Sequence, residues 1–358
     1  MKANVITPNS PRWYEFLANT VHDFYHLPEY VSFCARQEEG DALAFLAEDS
    51  DHSLLLPLIL RPINTYGDKY DQQYYDVTCP YGYPGPLLIE ENPRYNTEHF
   101  LKRAIESLLN ELEHLKAVSL FSRFHPLIEL PIKPFAEIGC LVQHGETVLI
   151  DLTLSPEEIW RQTRSNHRRR ITGAKREGHI VYIDEDWKEL NTFIDIYTQT
   201  MCRVGALDSY YFSKYYFTKL RQILNNRLHL CIVRVGGEVA GAGLFTEVCG
   251  IVQYHLGGTV EEHITNQPTK IMFDFVRYWA KARGNHVLHL GGGVEGRRDS
   301  LLHFKAGFSK LRKPFYSWRV VADRRAYSAL VERWESRYGV KSDGPQGFFP
   351  AYRKFISE

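Results

Sequence analysis

Apolar runs with a strand-like period and segments with a helical period follow one another along this chain in an order that starts twice. ALAFLAED (42–49) and SLLLPLILRPI (53–63) read as strands joined by a polar turn at Asp49, Ser50, Asp51 and His52, a hairpin signal. Helical segments carrying Trp13, Tyr14, Phe16, Phe24 and Tyr25 precede them over 10–36, broken at Pro28. A loop rich in Tyr, Asp, Pro and Gly is expected over 66–86. Residues 96–116 then place Phe100, Ile105, Leu108, Leu109, Leu112 and Leu115 at helical spacing, and AVSLFSRF (117–124) resumes as a strand.

From Asp151 the order begins again. TVLIDL predicts a strand, 156–178 a helix, HIVYI a strand, and 187–203 and 209–226 two further helices. Three strands follow in LHLCIVRVGG, EVAGAGLFTEV and GIVQYHLGG, turned at Gly-Gly and Cys-Gly; a helix over 268–283 leads to the strand HVLHL. KPFYSWRVVA (313–322) is strand-like and 326–338 helical. No repeat is visible at the level of residue identity, so a duplication rests on element order alone. The expected fold class is α/β (α+β), with mixed, largely antiparallel sheets flanked by helices, in two domains: 1–150 with 313–358, and 151–312.

A chain of 358 residues exceeds one comfortable core, and its 44% apolar content can fill two. Lys plus Arg and Asp plus Glu both number 43, so no global field draws the protein to nucleic acid or an anionic membrane, and any attraction for phosphates must be local. The six cysteines make no CxxC pair, which argues against a zinc site or a dense disulfide framework and fits a reducing compartment. MKANVITPNSPRW has no apolar leader core, and LLLPLIL (54–60) is too short to span a bilayer, so a soluble, cytoplasmic protein without a membrane span is the expectation.

The chemistry concentrates in 286–314. After the apolar VLHL, Gly291, Gly292, Gly293 and Gly296 allow tight turning beside a ligand, and Asp299 or Ser300 can cap a two-turn helix closed by Gly307. Leu301, Phe304 and Phe308 are expected on one face of it, with Lys305 inside that face. The lysine is then either a packed stem with its ammonium in water or a charge aimed into a cleft, where it would stabilise the oxyanion formed when an amine attacks a carbonyl.

Between Arg161 and Arg176 lie seven basic residues and no acid. Written as one helix, Trp160, His167, Ile171 and Ala174 form an apolar seam, with Arg161, Arg164, Arg168 and Lys175 as a stripe beside it. Like charges at such spacing oppose the helix unless an anion offsets them, so a phosphate-binding role is weighed against a solvated face. CPYGYPGP (79–86) should be a rigid loop presenting Tyr81 and Tyr83, or a plain packing turn. Tyr254 and His255, adjacent on a strand, should face opposite ways, and one of them can point to the cleft. No Ser/His/Asp order, carboxylate pair or metal spacing stands out, which leaves the general base to water or to a substrate phosphate.

LGGGVEGRRDSLLHFKAGFS resembles the end of the second domain in the Fem-type peptidoglycan aminoacyltransferases, a family related to the GNAT-like acetyltransferases, and RQTRSNHRRRITGAKREG and the PYGYxGP loop are similar to its other motifs. The resemblance implies two GNAT-like domains, the first degenerate and acceptor-binding, with the C-terminal tail packed back on it. It implies Phe304 and Lys305 beside the reacting carbonyl, Arg164 and Arg168 on phosphates, and Tyr81, Tyr83, Tyr254, His255 and Gly292 around the substrate. No bound cofactor or metal is implied. The donor would be aminoacyl-tRNA, and the acceptor a nucleotide-linked or small-molecule amine, in an amide-forming reaction of the cell envelope. Acetyl-CoA is the alternative donor, but CoA users of this fold seat its pyrophosphate on a glycine-rich turn. The corresponding TVEEHITNQPTK has no glycine and two adjacent glutamates. A non-catalytic module binding phosphoglycan or RNA is the third reading. The oligomeric state is not legible.

Overall fold

The computed structural model describes residues 1–63, 74–92, 96–344 and 347–355. They fall into two compact units, Met1–His144 with Phe315–Glu358, and Gly145–Pro314. The first part of the loop expected from residue 66 lies outside the described residues.

The first unit holds β1 (Lys2–Ile6), α1 (Pro11–Ala18), α2 (Pro28–Gln37), β2 (Asp41–Glu48), β3 (His52–Pro62), β4 (Tyr75–Thr78), β5 (Leu87–Glu90), α3 (Thr97–His114), β6 (Ala117–Arg123) and α4 (Lys133–Glu137). The expected hairpin is β2–β3, in register from Asp41 opposite Leu60 to Glu48 opposite Ser53. The expected helix is α3, whose N-terminus is capped by the Asn96 side chain on the His99 amide and whose apolar stripe buries Phe100, Ile105, Leu108 and Leu112. Three short strands escaped the sequence reading. β1 pairs with β2, while β4, inside the expected loop, and β5 both pair with β3. Four or five residues are too few to show a period, and what makes them strands is a partner far off in the chain.

The chain continues as β7 (Cys140–Asp151), α5 (Pro156–Gln162), α6 (Ser165–Arg176), β8 (Ile180–Ile183), α7 (Leu190–Val204), α8 (Lys214–Leu224), β9 (Leu228–Val235), β10 (Glu238–Val248), β11 (Ile251–Thr259), α9 (Pro268–Ala282), β12 (Val287–Gly291), α10 (Ser300–Lys305), β13 (Leu311–Val321) and α11 (Arg324–Tyr338). The second unit orders its strands β7-β12-β11-β10-β9-β8, and the first β1-β2-β3-β4-β6-β13. In the second, β11 and β12 are parallel across α9, and β12 is antiparallel to β7. In the first, β4 and β6 are parallel across a connection containing α3, and β6 is antiparallel to β13. The two units thus share one topology of a mixed, largely antiparallel sheet. α11 belongs to the first unit, where Leu330 and Trp334 bury against Ile63, Val118 and Tyr352.

One predicted helix is two. The stretch 156–178 breaks after Gln162, where Thr163 (ψ 130°) and Arg164 (ψ 143°) leave helical geometry. Ser155 and Glu158 form a reciprocal capping box at the start of α5. The break has a visible fastening: the fully buried Arg277 of α9 donates to Thr163 Oγ1 at 2.7 Å and to the Asp274 carboxylate. Asp274 also takes Lys175 Nζ at 2.6 Å. His167, Ile171 and Ala174 are buried as the seam requires, but Trp160 and Arg161 sit on the other helix, so the basic stripe is not continuous.

Candidate active site

β11 and β12 run side by side only as far as Gln253 opposite His289. Two irregularities coincide with the end of that pairing. The β10–β11 register slips at Leu244/Phe245, leaving His255 as the extra residue, and the β12–β7 register slips between His289 and Gly291, leaving Leu290. Beyond this point β12 leaves the sheet through Gly291 at φ 74° and Gly292, where a Cβ would lie 2.9 Å from the Glu146 carbonyl oxygen. Only glycine allows so close an approach.

The glycine cluster turns the chain into α10. Asp299 caps it, one carboxylate oxygen accepting from the Leu302 amide at 2.8 Å and the other from Val294 at 2.8 Å. Although burial opposes its charge, these backbone bonds and the Lys305 ammonium hold the carboxyl below its ordinary pKa. The buried side of α10 consists of Leu302 and Lys305, continued by Phe308. Leu301, expected inside, is 38% exposed, because in a helix this short the packing decides which flank faces inward.

Lys305 is 7% exposed, so the solvated-stem reading of its ammonium is excluded. Its Nζ donates to the Gly292 carbonyl at 2.7 Å and lies 5.8 Å from the centre of the Tyr254 ring. Burial pushes the pKa down to about 8, with Asp299 pulling the other way. At neutral pH the group is still mostly an ammonium, in a poorly solvated setting where a fixed charge acts strongly on a nearby developing one.

Phe304, next to it, is half-buried, and its carbonyl oxygen lies 3.0 Å from His167 Nε2. The two rings are 5.5 Å apart, and the His167 ring also packs on Phe308 at 4.9 Å. A Cβ at Gly307 would lie 2.3 Å from His167 Nε2. The Arg164 amide donates to the Gly307 carbonyl at 2.7 Å, and its guanidinium to His303 Nε2 at 2.7 Å. The start of α6 therefore grips α10 at both its last turn and its exit. Burial, then the neighbouring Lys270 charge, lowers the His167 pKa to about 4 against the pull of the Phe304 carbonyl, so the ring is neutral.

The remaining expected residues are dispersed. Arg168 is half-buried and makes no side-chain hydrogen bond or ion pair among the described residues. His255 is engaged elsewhere: its Nε2 is 3.1 Å from the Tyr216 hydroxyl on α8, and burial takes its pKa down to about 3. The bulge removes the strict alternation of Tyr254 and His255 expected from the sequence. In the first unit, Tyr81 is 38% exposed and accepts from the Tyr30 hydroxyl through its carbonyl at 2.9 Å. Tyr83 is half-buried, edge-on to Tyr25 at 5.9 Å and to Phe315 at 5.4 Å. The grip of His167 on Phe304 and the buried Lys270 were not legible; their signals were a histidine in a seam and a lysine in the first turn of an apolar helix.

Residues 161–306 match the family model described as acetyltransferase (GNAT) domain. No curated protein matches the chain. Among solved structures it is similar over 92% of its length to FemX, at 12% identity, with 99% of that chain covered and a TM-score of 0.68. It is similar over 92% to L-PGS from Bacillus licheniformis (13% identity, 98% of that chain, TM-score 0.52). The C-terminal domain of a putative lysylphosphatidylglycerol synthetase from Agrobacterium fabrum is similar over 90% (12% identity, 93% of that chain, TM-score 0.52). These likenesses are of fold. The protein is an acyltransferase with two GNAT-like units, and its second unit carries the GNAT-type domain.

Proposed function

We propose that the protein is an N-acyltransferase that moves an aminoacyl group from aminoacyl-tRNA to the amine of a cell-envelope precursor or another small acceptor. The observation that carries the reading is the buried ammonium of Lys305, tethered to Gly292 where β11 and β12 part. The amine attacks the ester carbonyl, forming the C–N bond, and Lys305 stabilises the tetrahedral oxyanion. As the oxyanion collapses the C–O bond to the tRNA ribose breaks, the ribose oxygen takes up a proton, and the new ammonium gives one to water or to a substrate phosphate. Gly292 and Phe304 position the lysine, with Tyr254 lining the site; Arg164 and Arg168 meet phosphates, and Tyr81 and Tyr83 meet the acceptor.

The choice of tRNA over CoA is supported by the link from β11 to α9, which offers Glu261 and Glu262 where a pyrophosphate turn would need glycine. The acetyltransferase description of the matched domain favours a second reading, acyl transfer from CoA to an amino sugar or metabolite. Incubation with charged tRNA or with acetyl-CoA, each with candidate amines, separates them: tRNA-dependent amide formation is expected, and thiol release without tRNA overturns the donor.

A further inference from the structure

The parallel pairing of β11 with β12 has three rungs: Ile251 with Val287, Val252 with Leu288 and Gln253 with His289. The third is the last before the strands part, and its chemistry differs. The first two bring apolar side chains together, whereas the third brings an amide and an imidazole, 4% and 0% exposed. Partners in a rung project from the same face of the sheet, and here they bond, with Gln253 Oε1 3.0 Å from His289 Nδ1. An amide oxygen only accepts, so Nδ1 carries the proton and donates it. For stability alone, two apolar side chains of the same shape would serve this rung about as well, because each polar group gives up its bonds to water on burial. What an apolar pair lacks is direction.

Both strands lead from this rung to the buried ammonium. One residue beyond Gln253, the Tyr254 ring centre lies 5.8 Å from Lys305 Nζ; three residues beyond His289, the Gly292 carbonyl accepts from it at 2.7 Å. The pairings of β11 with β10 and of β12 with β7 each slip by one residue just past the same rung, so the outer neighbours leave the two strand ends some play. The side-chain bond ties those ends to each other directly. We propose that Gln253 and His289 are positioning residues, whose bond fixes the rung at which β11 and β12 part and with it the placement of the Gly292 carbonyl and the Tyr254 ring about the Lys305 ammonium. The pair acts through the lysine. Its effect on the rate rests on the proposed acyltransferase reading; its effect on the lysine does not.

The titration of Lys305, followed by NMR on full-length protein carrying labelled lysine and assigned through Lys305→Met, tests this without any substrate. In the parent its midpoint is expected at about 8. Gln253→Met and His289→Leu each remove one partner. The double variant removes both, and so stays readable if one polar group left buried alone unfolds the chain. In all three the loosened ammonium gains water, and its midpoint should move toward the ordinary 10.5, by about one pH unit or more. His289→Asn, whose amide nitrogen can take the place of Nδ1 as donor, should stay close to the parent. Where the midpoint moves, kcat should fall about tenfold or more with acceptor KM unchanged. A midpoint that moves in the variants of a parent that turns over neither charged tRNA nor acetyl-CoA upholds the pair and overturns the acyl-transfer reading. A midpoint that stays at about 8 in Gln253→Met and in the double variant overturns the pair, whatever the reaction. An equal shift in His289→Asn and His289→Leu would make the effect one of packing and overturn the bond as its cause.

Discussion

His167 Nε2 lies 3.0 Å from the carbonyl oxygen of Phe304, joining residues 137 positions apart in the sequence. The carbonyl belongs to the residue immediately before Lys305, so the imidazole fixes the last turn of α10 and with it the direction of the ammonium. Since the ring is already neutral well above its pKa of about 4, it acts as a donor held in place and not as a titrating base.

Replacing His167 with Ala should therefore lower kcat while leaving acceptor KM near the parent value, and Gln, which keeps a donor, should recover part of the rate. Loss of one hydrogen bond that positions a catalytic group is expected to cost about tenfold or more. Steady-state kinetics across pH 5–8 check this: a limb near pH 6.5 that disappears in the variant would instead make His167 the general base.

Lys305→Met should reduce turnover by about 10²–10³-fold, the usual effect of removing one oxyanion donor. Acceptor affinity, measured by titration, should be spared. An unchanged rate would remove the lysine from the chemistry.

The same lysine predicts the pH dependence of both rate and stability. With a folded pKa of about 8, the ammonium is lost as pH rises through that value, and the rate should fall on the alkaline side. Stability should move the other way. The unfolded chain holds the proton up to about 10.5, so between the two values it binds more protons than the folded one, and unfolding free energy should climb by about 3 kcal/mol. Urea denaturation at pH 7, 9 and 10.5 should show this rise in the parent and a smaller one in Lys305→Met.

Gly292→Ala would place a methyl group 2.9 Å from the Glu146 carbonyl and displace the oxygen that holds Lys305. Turnover is expected to drop by up to about a hundredfold, at a stability cost of about 1–3 kcal/mol. Kinetics and thermal melting on the same preparation separate the two effects.

Arg277→Met leaves the Asp274 carboxylate buried with Lys175 as its remaining ion-pair partner and frees Thr163 at the α5–α6 break. Destabilisation of about 3 kcal/mol is expected by urea titration. Lysine should rescue poorly, since a single ammonium cannot replace two guanidinium donors aimed at different acceptors.

Periodic signals several turns or residues long were readable without a structure. α3, α9, α11, the β2–β3 hairpin and the β9–β10–β11 meander follow directly from apolar spacing and turn residues, as does the glycine-rich exit of β12 into a short capped helix bearing a lysine. The sequence by itself therefore determined the order of the longer elements, the fold class and Lys305 as the charge to watch. Only the tertiary structure decided the rest, and for one reason: in short segments, local preference is too weak to choose between alternatives that differ by a single contact. α10 is too short for its period to say whether Leu301 or Leu302 faces inward. A helix-favouring run gave no sign that Arg277, from another helix, would fasten it open at Thr163. A one-residue slip in the β10–β11 register sets His255 apart from its neighbours, with its ring on Tyr216, while Tyr254 lies near the ammonium. Contacts such as His167 with Phe304, or Arg277 with Thr163, join distant positions, and only packing reveals them.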